Sequence, residues 1–388
     1  MNSFFKKVFS KTKLSPDITA LYSNIVIDQI GEGLVGLFMP IFLWQTFGSI
    51  NLVLLYYFCV YFLYAVLVFF GAKIMSRLGQ KMSMILSIPF KILFFTGLYF
   101  LSVGYPVLII TFLMITIVEV RLMLFWVPYH TDFAGFTNKK SRGRVIGLLS
   151  AISSLVSILI PVFSGWLIKM YGFEVLFLIA IVLFVVSLLP LFLIKPTFEK
   201  FTFSFKETWR KLLGRQYRRM FLSYFADGME NMVGAIIWPI FIFQLLKGDF
   251  LAVGAISSLI VLFTVSAQLI MGQFTDKFDK KKLMRWGSGL YAIGWFLKIF
   301  VSTGFEIFLA STYHNFAAIV MRTPFDALIY EKAADAGHYV DELTVLREMA
   351  LNLGRAFCVI LLFIFLSFFG LQWTFILAGV ASLFVNIL

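Results

Sequence analysis

Hydrophobic residues run along this chain in long blocks, separated by short polar stretches. Apolar runs occupy about 18–47, 50–75, 82–102, 106–131, 145–170, 172–194, 219–246, 250–274, 283–303, 305–331, 345–369 and 371–388. Each is close to the roughly 20 apolar residues that a helix needs to cross a bilayer. A buried helix of a soluble protein can also be apolar all round, but twelve in succession leave no polar face from which to build a soluble surface. The pattern predicts an all-α polytopic membrane protein with about twelve transmembrane helices. The last run is barely long enough and has no polar tail, so the chain reads as trimmed at its C-terminus.

Composition agrees with the pattern: of 388 residues, 61% are hydrophobic and only 14% charged, against about 25% charged in soluble domains. The formal charge of +13 would suit nucleic acid if the basic residues shared one water-facing surface, but they fall in blocks between the apolar runs. Lys73, Arg77 and Lys81, then Lys139, Lys140, Arg142 and Arg144, then Lys277 and Lys280 to Lys282, alternate with nearly uncharged loops near Ser49, Gly104, Gly172, Gly248 and Gly304. Cytoplasmic loops retain positive charge, so both termini are expected to be cytoplasmic in a bacterial-type plasma membrane. Cys59 and Cys358 each lie within an apolar run and give no disulfide framework.

A basic linker divides the chain near its middle, and the two sides match in register. Asp28-Gln-Ile-Gly-Glu32 followed by Pro40 meets Asp227-Gly-Met-Glu230-Asn231 followed by Pro239 at an offset of 199 residues. The loop Ala72 to Lys81 meets Gly272 to Lys281 at an offset of 200, and Arg121 meets Arg322 at 201. This is a duplicated six-helix unit. The organisation expected is a basic segment at 1–17, a six-helix bundle at 18–194, a linker at 195–218 and a second bundle at 219–388.

With these features the chain resembles the major facilitator superfamily of secondary transporters over nearly its whole length. That family carries G-x-x-x-D-R-x-G-x-[RK] between its second and third helices, often echoed between the eighth and ninth. Here Gly272, Asp276 and Lys277 keep the pattern in the second copy, and Arg77, Gly79 and Lys81 in the first, where Ala72 and Ser76 replace the Gly and Asp. The resemblance implies a cytoplasmic gate at Arg77, Gly79, Gly272, Asp276 and Lys277. It also implies a central cavity lined by the first, fourth, seventh and tenth helices.

Those four helices hold most of the charge inside the apolar runs, where each ion costs on the order of 2.5–3.5 kcal/mol on insertion scales. Asp28, Glu32, Glu119, Asp227, Glu230, Asn231 and Asp326 are the candidates for proton coupling or cavity lining. Arg121, Arg322, Trp126, His130, Trp238 and Gln268 are the candidates for solute contact. Arg322 and Asp326, four apart, can pair along one helix face. Static ion pairs between helices are the competing explanation for all these charges. Lys91 and Lys298 fit either snorkelling or cavity lining, and Glu348, Asn352 and Arg355 read as supporting polar groups.

The function expected is secondary transport of a small solute by alternating access, with protons as coupling ion, the bilayer as environment, a monomeric protein, no cofactor, no metal and no nucleic-acid partner. A sensor or scaffold on the same fold stays open, as does export rather than import. An intramembrane enzyme lacks a recognisable catalytic set, with neither H-E-x-x-H nor G-x-S-x-G present.

Overall fold

The computed structural model describes residues 16–135, 142–198, 201–271, 279–335 and 340–387, with side chains undescribed at 16–18, 130–135, 142–152, 269–271, 280–281, 326–335 and 340–341. Among the described residues the fold is helical throughout, with twelve spans. The first comprises helices Pro16–Gly36 and Met39–Phe47, the second Ile50–Leu78, the third Gln80–Ser102 and the fourth Val107–Gly135. The helix Arg142–Leu191 holds the fifth and sixth, because Gly172 (φ 81°, ψ 178°) breaks it. The seventh runs from Arg218–Met232 through a π-helical turn at Val233–Ile237 into Trp238–Leu245. Phe250–Met271, Lys280–Lys298, Gly304–Asp335 and Val340–Phe368 form the eighth to eleventh, and the twelfth joins short helices from Leu371 to Ile387.

Among the described residues eight helices are long and apolar enough to cross a membrane, the Ser153–Leu191 stretch holding two spans, and the twelfth span, Leu371–Ile387, is a shorter apolar helix. The first and seventh spans are interrupted at matching places, just before Pro40 and Pro239. Proline supplies no N–H and crowds the carbonyl four residues back, so the helix must restart or widen there.

The halves meet along two seams, the fifth span against the eighth and the second against the eleventh. On the first seam the backbones touch: a Cβ at Gly254 would collide with the Pro161 carbonyl, and one at Gly165 with that of Phe250. Small residues allow this approach where lipid offers helices no hydrophobic drive to associate. Ser258 Oγ accepts from the Val162 N–H at 3.0 Å beside Pro161. At the loop end, Lys169 Nζ lies 3.1 Å from Asp249. The hydrogen bond from Lys169, then the backbone N–H groups of Ala252 and Leu251, hold the Asp249 carboxyl below its ordinary range.

At the opposite end the linker is fixed to both halves. The Phe201 N–H donates to Ser76 Oγ at 3.0 Å and Lys73 Nζ to the Phe201 carbonyl at 3.1 Å. The Thr202 N–H and hydroxyl donate to Glu342 of the eleventh span at 3.0 and 2.8 Å. A short amphipathic helix, Phe205–Leu212, follows, opened by a capping box between Ser204 and Glu207.

Candidate functional site

Charge inside the spans is gathered into one cluster per half. In the first half, Asp28 and Glu32 stand one turn apart on the first span, and Lys91 Nζ of the third reaches both, at 2.6 and 2.9 Å. Arg121 of the fourth span donates to Glu32 as well. Lys91 is 1% exposed, its ammonium 4.7 Å from the centre of the Phe184 ring. Two acids and two bases neutralise one another, which is the condition for keeping them in a low-dielectric site.

In the second half Arg322 Nη2 lies 3.0 Å from both Asp227 Oδ1 and Glu230 Oε2. The contact to Glu230 is an aligned hydrogen bond; that to Asp227 is charge proximity alone, since its Oδ1 has no aligned donor. Tyr291 donates its hydroxyl to Glu230 Oε1 at 2.5 Å. Lys298 sits over the indoles of Trp238 and Trp295, 4.5 and 3.9 Å from the ring centres, and His314 stacks on Tyr291 at 4.2 Å.

A cavity of about 100 Å³ opens beside the first cluster, lined by Glu32, Met39, Tyr56, Tyr57, Tyr61 and Arg121 among others. Arg355 of the eleventh span lies over the Tyr61 ring from the other half, 5.2 Å from its centre. Glu119 is 3% exposed, and neither carboxylate oxygen has a hydrogen-bond partner among the described residues.

The remaining sequence candidates are scattered. Asn231 accepts a hydrogen bond from Arg355 Nε at 3.1 Å. Half-buried Trp126 packs on Phe125 and Tyr129, Trp238 stacks on Phe241, and Gln268 is exposed. The side chains of His130 and Asp326 lie outside the described residues, as do Gly272, Asp276 and Lys277 entirely. Arg322 takes its described partners from the seventh span, and the pair expected with Asp326 on its own helix lies outside the described residues. Arg77 is exposed, and Gly79 (φ 81°) caps the second span. Its neighbour Lys81 donates to the carbonyls of Phe192 and Ile194 at 2.8 and 2.5 Å, placing a cation at the end of the sixth helix where the dipole favours one.

Sequence reading passed over Tyr56, Tyr57, Tyr61 and Tyr291. The signal that could have found Tyr291 is its offset of 200 from Lys91, which puts a hydroxyl donor at the repeat position of the ammonium.

A sequence comparison with curated proteins finds no match. Among solved structures, a mutant of the peptide transporter POT in complex with alafosfalin shares the fold, with a TM-score of 0.69 at 9% identity over 95% of this chain and 92% of that one. The family model described as Major Facilitator Superfamily matches residues 21–219 and again 220–388. A match over nearly the whole length, in two consecutive copies that divide where the repeat divides, shows that the chain belongs to the major facilitator superfamily, a family of membrane transporters.

Proposed function

We propose that the protein moves a small solute by alternating access in exchange or in company with protons, and that Glu119 carries the coupling proton. The reading is supported by one observation: among the described residues, Glu119 is a buried carboxyl with no hydrogen-bond donor and no ion pair. It can take up and release a proton without breaking an ion pair. Asp28, Glu32, Asp227 and Glu230 are each paired with a lysine or arginine, so protonating any of them costs an ion pair. In this reading they hold helices together and Glu119 responds to pH. The basic blocks and both termini are placed in the cytoplasm of a bacterial-type cell by the positive-inside rule. The monomer is taken as the working unit because each cluster is completed within one chain.

Proteoliposomes containing a pH-sensitive dye test this. Panels of sugars, amino acids, organic anions and amphipathic drugs are expected to include a solute whose gradient moves protons through the wild type. Glu119→Gln abolishes that proton movement and retains solute counterflow. Full pH-driven transport in Glu119→Gln would remove the coupling role.

A further inference from the structure

Among the described residues, the other cations near the two clusters are already compensated. Lys91 has Asp28 and Glu32, Arg121 has Glu32, Arg322 has Asp227 and Glu230, and Lys298 lies against two indole faces within electrostatic reach of the Glu230 carboxylate. Arg355 differs. Its Nε donates to Asn231 and its Nη1 to Asn352, both at 3.1 Å, and both acceptors are neutral amide oxygens. These contacts aim the guanidinium without neutralising it, and its Cζ lies 5.2 Å from the centre of the Tyr61 ring. No hydrogen bond from Nη2 occurs among the described residues.

The opposite half supplies a second guanidinium. Arg121 is 8% exposed and lines the cavity beside its partner Glu32, and its Nε is a buried donor with no hydrogen-bond partner among the described residues. Tyr61 belongs to that cavity wall and is the ring on which Arg355 rests. One guanidinium from each half thus lies beside this wall, Arg121 lining the cavity and Arg355 over the Tyr61 ring. Leaving a buried donor unpaired costs free energy that a ligand acceptor would restore.

We infer that Arg121 and Arg355 together bind the anionic group of the solute, a carboxylate or a phosphate, against the wall formed by Tyr56, Tyr57 and Tyr61. Planar N–H forks suit both groups. Binding across Tyr61 would join the two halves through the ligand. The nearby carboxylates are Glu32, which lines the cavity and is paired with both Arg121 and Lys91, and Glu119 and Glu348, which act electrostatically on Tyr64 and form no described ion pair with Arg355; a proton on Glu119 removes one of these negative charges. Calling the anion the transported solute rests on the transport reading above, whereas the site itself does not.

The test is thermal unfolding of the full purified chain with benzoate and glycerol 3-phosphate, against their neutral counterparts benzamide and glycerol. At least one anion is expected to raise the midpoint and neither neutral compound to do so, and which anion acts separates carboxylate from phosphate. Arg355→Gln is expected to weaken that binding by at least about thirtyfold. Arg355→Lys keeps the charge but loses the fork, and is expected to weaken it by about tenfold, which keeps the site testable if the glutamine variant fails to fold. No anion-specific shift in the wild type, or affinity unchanged within about twofold in the variants, overturns the proposal. Anion binding without solute-driven proton movement supports this site and removes the coupling reading. Proton movement driven only by neutral solutes overturns the anion as the transported solute and leaves the coupling reading in place.

Discussion

The two halves repeat one backbone plan and neutralise their buried acids differently. In the first, the third span contributes Lys91, and two acids meet two bases. At the equivalent place in the ninth span stands Tyr291, which offers Glu230 a hydroxyl and no charge. Among the described residues Arg322 therefore makes the ion pairs of both carboxylates, where Arg121 shares its work with Lys91. The fold constrains where polar groups can lie; each half then solves its own electrostatics with the residues at those places. The first half has two cations in its described ion pairs, the second has one, with Lys298 acting on Glu230 from a distance.

That asymmetry is easiest to break at Arg322. Arg322→Met leaves Asp227 and Glu230 without their shared cation, and breaking a buried pair from one side costs about 3–5 kcal/mol. Loss of a monodisperse, cooperatively melting protein is expected, with recovery when Asp227→Asn and Glu230→Gln are added. Lys91→Met is expected to cost less, about 2 kcal/mol, because Glu32 keeps Arg121 and only Asp28 is stranded. Equal melting shifts for the two variants would end the distinction between the halves.

The smallest effect belongs to the exposed pair that links the halves. Asp249→Asn is expected to cost below about 0.5 kcal/mol and to vanish at high salt. Because the folded state lowers the Asp249 pKa below its ordinary value of 3.8, the pair contributes above that pH and is lost as pH falls through the lowered value. Melting curves of wild type and variant should converge in acid.

Much of this was legible in the sequence. Apolar blocks of spanning length announced the helices, because lipid leaves no partner for an open backbone, and the paired offsets announced the repeat. Asp28, Glu32, Arg121, Asp227, Glu230 and Arg322 stood out because charge is scarce in such runs. Their partners did not stand out. Spacing along one helix suggested Arg322 with Asp326, and only the packing of the seventh span against the tenth brings Glu230 to the arginine. Lys91 had two readings until Asp28 was seen beside it. The cavity tyrosines were hidden among 15 tyrosines and 48 phenylalanines, where one more aromatic on an apolar helix carries no signal. Arg355 looked like a supporting group because its distinction, neutral partners only, is a property of its neighbours.

The linker has a mechanical consequence. Phe201 is bound to the second span through Lys73 and Ser76, and the very next residue to the eleventh through Glu342. Two adjacent residues thus act as a rivet at one edge of the protein, with almost no slack between its two heads. Spreading the helices there requires shearing the Glu342 contacts or peeling Phe201 from its seat. A few hydrogen bonds in a connecting loop thus couple the second and eleventh spans at that end.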